Sequence, residues 1–277
     1  MALRLFRTAS GWIVEADGRR ARLSPTDESG LTTRDDLASF LSSTAGALPA
    51  AENGALHPLL PPLERQEVWA AGVTYFRSRT ARMEESQVAA GSQFYDLVYN
   101  ADRPELFFKA APWRVVTSGQ PVRIRRDAAW NVPEPELALL ISPAGRILGY
   151  TAANDMSSRD IEGENPLYLA QAKIYDGSCA LGPALVVSAD PPPPALTIAM
   201  EIRRGPDAVF SGSTTLARMK RELASLVDYL YRETSFPDGC VLLTGTGIVP
   251  PDDFTLQRGD EILISVEGVG TLQNVVE

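Results

Sequence analysis

Glu134 and Glu136, one residue apart in Pro133-Glu134-Pro135-Glu136, are the side chains whose types and spacing most directly suggest chemistry. On an extended segment, alternate residues point to the same side, so both carboxylates share one face. Adjacent like charges make ionisation costly unless a cation lies between them. Asp155, nineteen residues after Glu136, offers a third carboxylate. Three carboxylates with no neighbouring His or Cys form an all-oxygen set, suited to magnesium, manganese or calcium rather than zinc. The same spacing also describes a solvated acidic strand face, and spacing alone does not choose between the two. Two further groups could move protons. Lys173 stands between small and apolar neighbours, where burial would lower its basicity and nearby carboxylates would raise it. Glu105, Phe107 and Lys109 alternate along a short apolar run, an acid and an amine among aromatics that suit either proton transfer or a surface ion pair.

These residues need elements to position them. The apolar run Leu137 to Ile141, the turn Ser142-Pro143-Ala144-Gly145 and the run from Ile147 to Asn154 predict a hairpin that folds Asp155 back toward the glutamates. Upstream, residues 2–23 alternate as a meander of short strands, and Thr33 with Asp36 has the spacing of a capping box before the apolar face Leu37, Phe40 and Leu41. Residues 46–64 are proline-rich and read as a linker. They contain His57, the only histidine, which leaves little for a triad or a zinc site. Glu67 to Val73 reads as a buried strand. From Tyr75 to Ser86 the charges crowd (Arg77, Arg79, Arg82, Glu84, Glu85), as on an exposed helix with local ion pairs or on a lid whose arginines meet an anionic substrate. Leu216, Met219, Leu223, Leu226, Val227 and Leu230 predict one apolar helix stripe. A strand from Cys240 to Thr244 then ends in the small-residue loop Gly245-Thr246-Gly247, and a closing hairpin turns at residues 268–270.

Composition narrows the function classes. A chain of 277 residues with 44% hydrophobic content can bury a sizeable core. Its net charge of −9, without a basic stripe, argues against nucleic acid as a partner. No apolar run reaches membrane-spanning length, and Met1 to Thr8 lacks the apolar core of a secretory signal. Two cysteines, Cys179 and Cys240, read as buried hydrophobes in a reducing, cytoplasmic setting.

The ordered combination of Glu134-Pro135-Glu136-Leu137-Ala138, then Gly149 through Asp160 (GYTAANDMSSRD), then Gly245-Thr246-Gly247 resembles the fumarylacetoacetate hydrolase family over roughly residues 66–277. The resemblance implies an α+β fold: a mixed β-roll catalytic domain over 66–277, preceded by a small N-terminal α/β domain and linker over 1–65. It also implies a divalent ion, Mg2+ or alternatively Mn2+, held by Glu134, Glu136 and Asp155, and a homodimer or homotetramer. Residues 72–79 (GVTYFRSR), Pro104 to Lys109 and Lys173 look most like the 2-keto-3-deoxy-D-arabinonate dehydratase branch. Hydrolases of the family typically carry a histidine shortly after the tyrosine of their lid. Here Tyr75 is followed by Phe76, Arg77, Ser78 and Arg79, which favours elimination over hydrolysis. The likeness thus implies magnesium-dependent dehydration of a 2-keto-3-deoxy pentonate to 2,5-dioxopentanoate through a metal-stabilised enolate. Lys173 and Glu105 would move protons, and Arg79, Ser78, Phe107 and Thr246 would hold the 2-oxo acid. The alternatives are a C–C hydrolase of an acylpyruvate or 2,4-diketo acid, and a catalytically idle binding subunit.

Overall fold

The computed structural model of the protein describes residues 3–51, 56–78, 80 and 92–277. As the early alternation predicts, the chain starts with a meander: β1 (Leu3–Thr8), β2 (Gly11–Ala16) and β3 (Arg19–Arg22). A helix over Leu37–Thr44 and the short β4 (Leu59–Leu60) lead to β5 (Glu67–Gly72), β6 (Glu105–Ala110) and β7 (Val115–Val116). The predicted hairpin is β8 (Asn131–Ile141) and β9 (Ile147–Ser158), followed by β10 (Cys179–Val187). The remaining strands are β11 (Thr197–Arg204), β12 (Asp207–Thr215), β13 (Cys240–Leu243), β14 (Glu261–Val266) and β15 (Gly270–Val275).

A large mixed sheet runs in the order β3-β2-β1-β10-β9-β8-β13-β5-β6, with β4 and β7 attached at β1 and β10; a smaller antiparallel sheet runs β12-β11-β14-β15. This is a sheet-dominated α+β fold. The pleat of β8 sorts its residues between two cores. Leu137, Leu139 and Ile141 pack with Ile198, Met200, Ile262 and Ile264 of the small sheet. Ala138 and Leu140 face the opposite core, which contains Leu5, Trp12, Leu37 and Leu41 from the N-terminal segment. The sheet continues across the boundary expected near residue 65, because β1 pairs antiparallel with β10 through Leu5 and Leu185.

Two local expectations are corrected. The helix starts at Leu37 without a side-chain cap: Thr33 ends a separate 3-10 turn, and both carboxylate oxygens of Asp36 accept from Arg34, at 2.7 and 3.0 Å. A charged fork outcompetes a backbone amide for that acid. The stripe from Leu216 to Leu230 is not one helix but a 3-10 turn, Leu216–Arg218, and a helix, Leu223–Tyr231. Met219 bridges to Tyr75, and the Lys220 amide donates to Thr74 O at 2.9 Å, so tertiary pairing unwinds the chain between them.

Candidate active site

The β8–β9 register sets Glu134 directly opposite Asp155 and Glu136 opposite Ala153, so the three acids share one sheet face. One carboxylate oxygen from each lies within 4.8 Å of the others. The site is dry: Glu134 is 4% exposed, and Glu136, Asp155 and Lys173 are each 1% exposed. Carboxylates buried this deeply need cations. Lys173, which ends the helix Leu169–Lys173, donates to Glu134 Oε2 at 2.7 Å, Asp155 Oδ2 at 3.2 Å and Ser157 Oγ at 2.6 Å. Lys109, fully buried on β6, lies 2.5 Å from Asp155 Oδ1 and donates to the main-chain oxygens of Met156 and Lys173, at 3.0 and 2.5 Å. Arg159 opens the helix Arg159–Glu164 and donates from Nη2 to Glu134 Oε1 at 2.6 Å.

Glu136 is different. No cationic side chain among the described residues pairs with it, and its Oε2 accepts from the Gly245 amide at 2.6 Å. Burial, then the charges of Asp155 and Glu134, hold its carboxyl well above the usual carboxylate range, against the pull of Lys173 and the Gly245 amide. A buried acid raised by its neighbours and lacking its own cation fits a divalent ion, and the oxygen-only set fits magnesium or manganese.

Glycines allow the close approaches. At Gly245, φ is +94°, and an added Cβ would collide with Thr74 Oγ1, which donates to Thr244 O at 2.7 Å. At Gly72 an added Cβ would run into the Glu105 carboxylate, so Glu105 lies against bare backbone. Val73 next to it has φ +54°, a left-handed conformation that costs a β-branched residue about 1–3 kcal/mol.

Eight of the side chains singled out from sequence wall this one cavity: Ser78, Glu105, Phe107, Glu134, Glu136, Asp155, Lys173 and Thr246, with Gly72, Val73 and Gly245 between them. Arg79 lies outside the described residues. His57 is exposed and is not among the residues that wall the cavity. Two hydroxyls already have local partners. Ser78 Oγ accepts from the Tyr75 amide and donates to Tyr75 O, and Thr246 Oγ1 exchanges bonds with Ile248. The Gly245 amide serves Glu136, because that buried acid needs a donor. Sequence reasoning assigned no role to Arg159, and it left Lys109 between catalysis and the surface. For Lys109 the available signal was a charge between Phe108 and Ala110; Arg159, between Ser158 and Asp160, gave none. A much roomier cleft, of about 730 Å³, lies elsewhere, between Leu37, Ile147, Val227 and Tyr231. Its acids Asp35 and Asp228 meet Arg146 and Arg232 in partly exposed ion pairs, so charge burial rather than volume marks the site.

Comparison with known proteins places this geometry. The sequence model of the fumarylacetoacetate hydrolase C-terminal region matches residues 73–277. The chain belongs to this family. It is 47% identical over 216 residues to a probable 2-keto-3-deoxyxylonate dehydratase of Haloferax volcanii, covering 78% of this chain and 73% of that protein. To the 2-dehydro-3-deoxy-D-arabinonate dehydratase of Saccharolobus solfataricus it is 43% identical over 213 residues, 76% and 72% of the two chains. A solved structure of 2-keto-3-deoxy-D-arabinonate dehydratase, complexed with magnesium and 2,5-dioxopentanoate, superposes with a TM-score of 0.84 at 33% identity; the match spans 100% of this chain and 99% of that one.

Proposed function

We propose that this protein is a magnesium-dependent hydro-lyase that converts a 2-keto-3-deoxy pentonate to 2,5-dioxopentanoate. The observation that carries the reading is the buried cage itself, three carboxylates with Lys173 bonded into them and Glu105 on the wall of the same cavity. The dehydratases named above support the substrate class. Glu134, Glu136 and Asp155 would hold the ion. Bound there, magnesium supplies Lewis-acid polarisation at the chelating end of a 2-oxo acid, which acidifies C3. Lys173 and Glu105 divide the proton work: one takes a proton from C3, and the other protonates the C4 hydroxyl so that it departs as water. The conjugated product reaches the aldehyde by two further proton shifts, one from C5 to C3 that leaves a C4–C5 enol, and one from the enol hydroxyl to C4. The Phe107 ring, with its centroid 5.8 Å from Lys173 Nζ, flanks that amine with an apolar wall. Ser78, Thr246 and Arg79 are the proposed contacts to the rest of the acid.

Once C2 is a ketone and C3 is deoxygenated, only C4 remains stereogenic. The D-arabinonate and D-xylonate derivatives are therefore one compound. The test incubates the protein and magnesium with this compound, with its C4 enantiomer and with a 2,4-diketo acid, and weighs the products. Loss of one water from a pentonate, without uptake of solvent oxygen into a new carboxylate, is the expected result. Cleavage of the diketo acid with solvent oxygen in one fragment would establish the hydrolase alternative. Among the described residues, no helix is long and apolar enough to cross a membrane. A cytoplasmic homodimer or homotetramer completes the proposal, and light scattering on the purified chain tests the assembly.

A further inference from the structure

The four oxygens of Glu134 and Asp155 are all in contact with protein cations. Arg159 takes Glu134 Oε1, Lys173 takes Glu134 Oε2 and Asp155 Oδ2, and Lys109 takes Asp155 Oδ1. The two lysines are held differently. Lys109 has two main-chain carbonyls as its other partners and does not line the cavity. Lys173 lines it, and two of its three partners are the carboxylates assigned to the ion. A divalent ion bound by Glu134, Glu136 and Asp155 would share those oxygens with an ammonium only a few ångströms away, in a site with almost no solvent to screen the repulsion.

We propose that Lys173 is the built-in counter-ion of the metal-free cage, so that metal binding and the Lys173–carboxylate contacts oppose one another. The inference rests on the metal-holding part of the proposed function and adds a consequence to it. The cage stays neutralised and folded without metal, and the ion weakens the grip of the carboxylates on the amine as it binds. By linkage, the same free energy appears at both ends: Lys173 lowers metal affinity, and metal loosens Lys173. The proton-moving amine is then released only in protein that also holds the ion.

The first test measures Mn2+ binding to metal-free protein by electron paramagnetic resonance, for the wild type, Lys173→Met and Glu136→Gln. Lys173→Met is expected to bind Mn2+ at least about tenfold more tightly, since removing a unit charge about 4 Å from a divalent ion is worth more than that factor even in bulk water. Equal or weaker binding would overturn the proposal, because a lysine that only moves protons leaves affinity unchanged and one that only orders the ligands raises it. Wild-type protein that binds no Mn2+ would overturn both this inference and the metal-holding reading. Binding that survives Glu136→Gln undiminished would place the ion outside the cage and overturn both as well.

A second measurement needs no variant at the site. The chain has three lysines, Lys109, Lys173 and Lys220, and Lys220 is exposed. Lysine labelled with 13C at Cε therefore gives three side-chain signals, and Lys220→Arg identifies the surface one. Titration with Mg2+ is expected to move a buried-lysine signal in step with metal binding. Buried signals that both stay fixed while the ion binds would overturn the exchange.

Discussion

The two halves of β8 share one strand, one hairpin partner and complete burial, yet they hold opposite chemistry. Leu137 to Ile141 fills both cores with aliphatic side chains. Asn131 to Glu136 carries two carboxylates at equal depth, and these require Lys173, Arg159 and the Gly245 amide for compensation. Apolar burial stabilises at roughly 25 cal/mol per Å², whereas a buried ion pair at best roughly offsets its own desolvation. The difference teaches that the apolar half holds the fold and the charged half is tolerated for what it can bind.

That contrast can be broken at several points. The largest effect is expected from the acids: Glu134→Gln, Glu136→Gln or Asp155→Asn should abolish turnover, and EDTA should do so reversibly, with Mg2+ or Mn2+ restoring it. Full activity in stripped protein would show that the charged half has another purpose. Lys173→Met should lose about two to four powers of ten in kcat, with KM changed far less, in steady-state assays. In the apolar half, Leu139→Ala should cost about 2–5 kcal/mol in denaturant melts while the folded fraction keeps its kcat. A comparable loss of kcat would mean that the two halves are not separable. Gly72→Ala should displace the Glu105 carboxylate, lowering kcat about tenfold or more with a small change in Tm, because the far end of Glu105 can swing aside. His57→Asn, on the exposed connection before β4, should leave kcat/KM within about a few-fold, well short of the loss expected for a general base.

Much of this was legible because strands repeat every two residues. That period alone put Glu134 with Glu136, and Glu105 with Phe107 and Lys109, while the proline-glycine turn at Ser142–Gly145 returned Asp155 to them. What could not be read depends on distant packing. Nothing near Lys109 in sequence says that its amine reaches Asp155, because β6 reaches that acid only through its place in the sheet and its contacts with the helix bearing Lys173. The break in the stripe after Leu216 likewise reflects Tyr75, more than a hundred residues away, and not any breaker among its own residues. The capping-box spacing at Thr33 misled because Arg34 claimed Asp36 first.

The pairing of β1 with β10 has a practical side. A shortened chain beginning at residue 66 would keep every residue of the cage but would strip the partner from Leu185 to Val187 and uncover the core that Leu5 and Trp12 now seal. An unpaired run of apolar backbone is a template for adding strands from other molecules. Such a fragment is expected to precipitate or pair with itself, so fusions and tags on this enzyme belong beyond β1 and not in place of it.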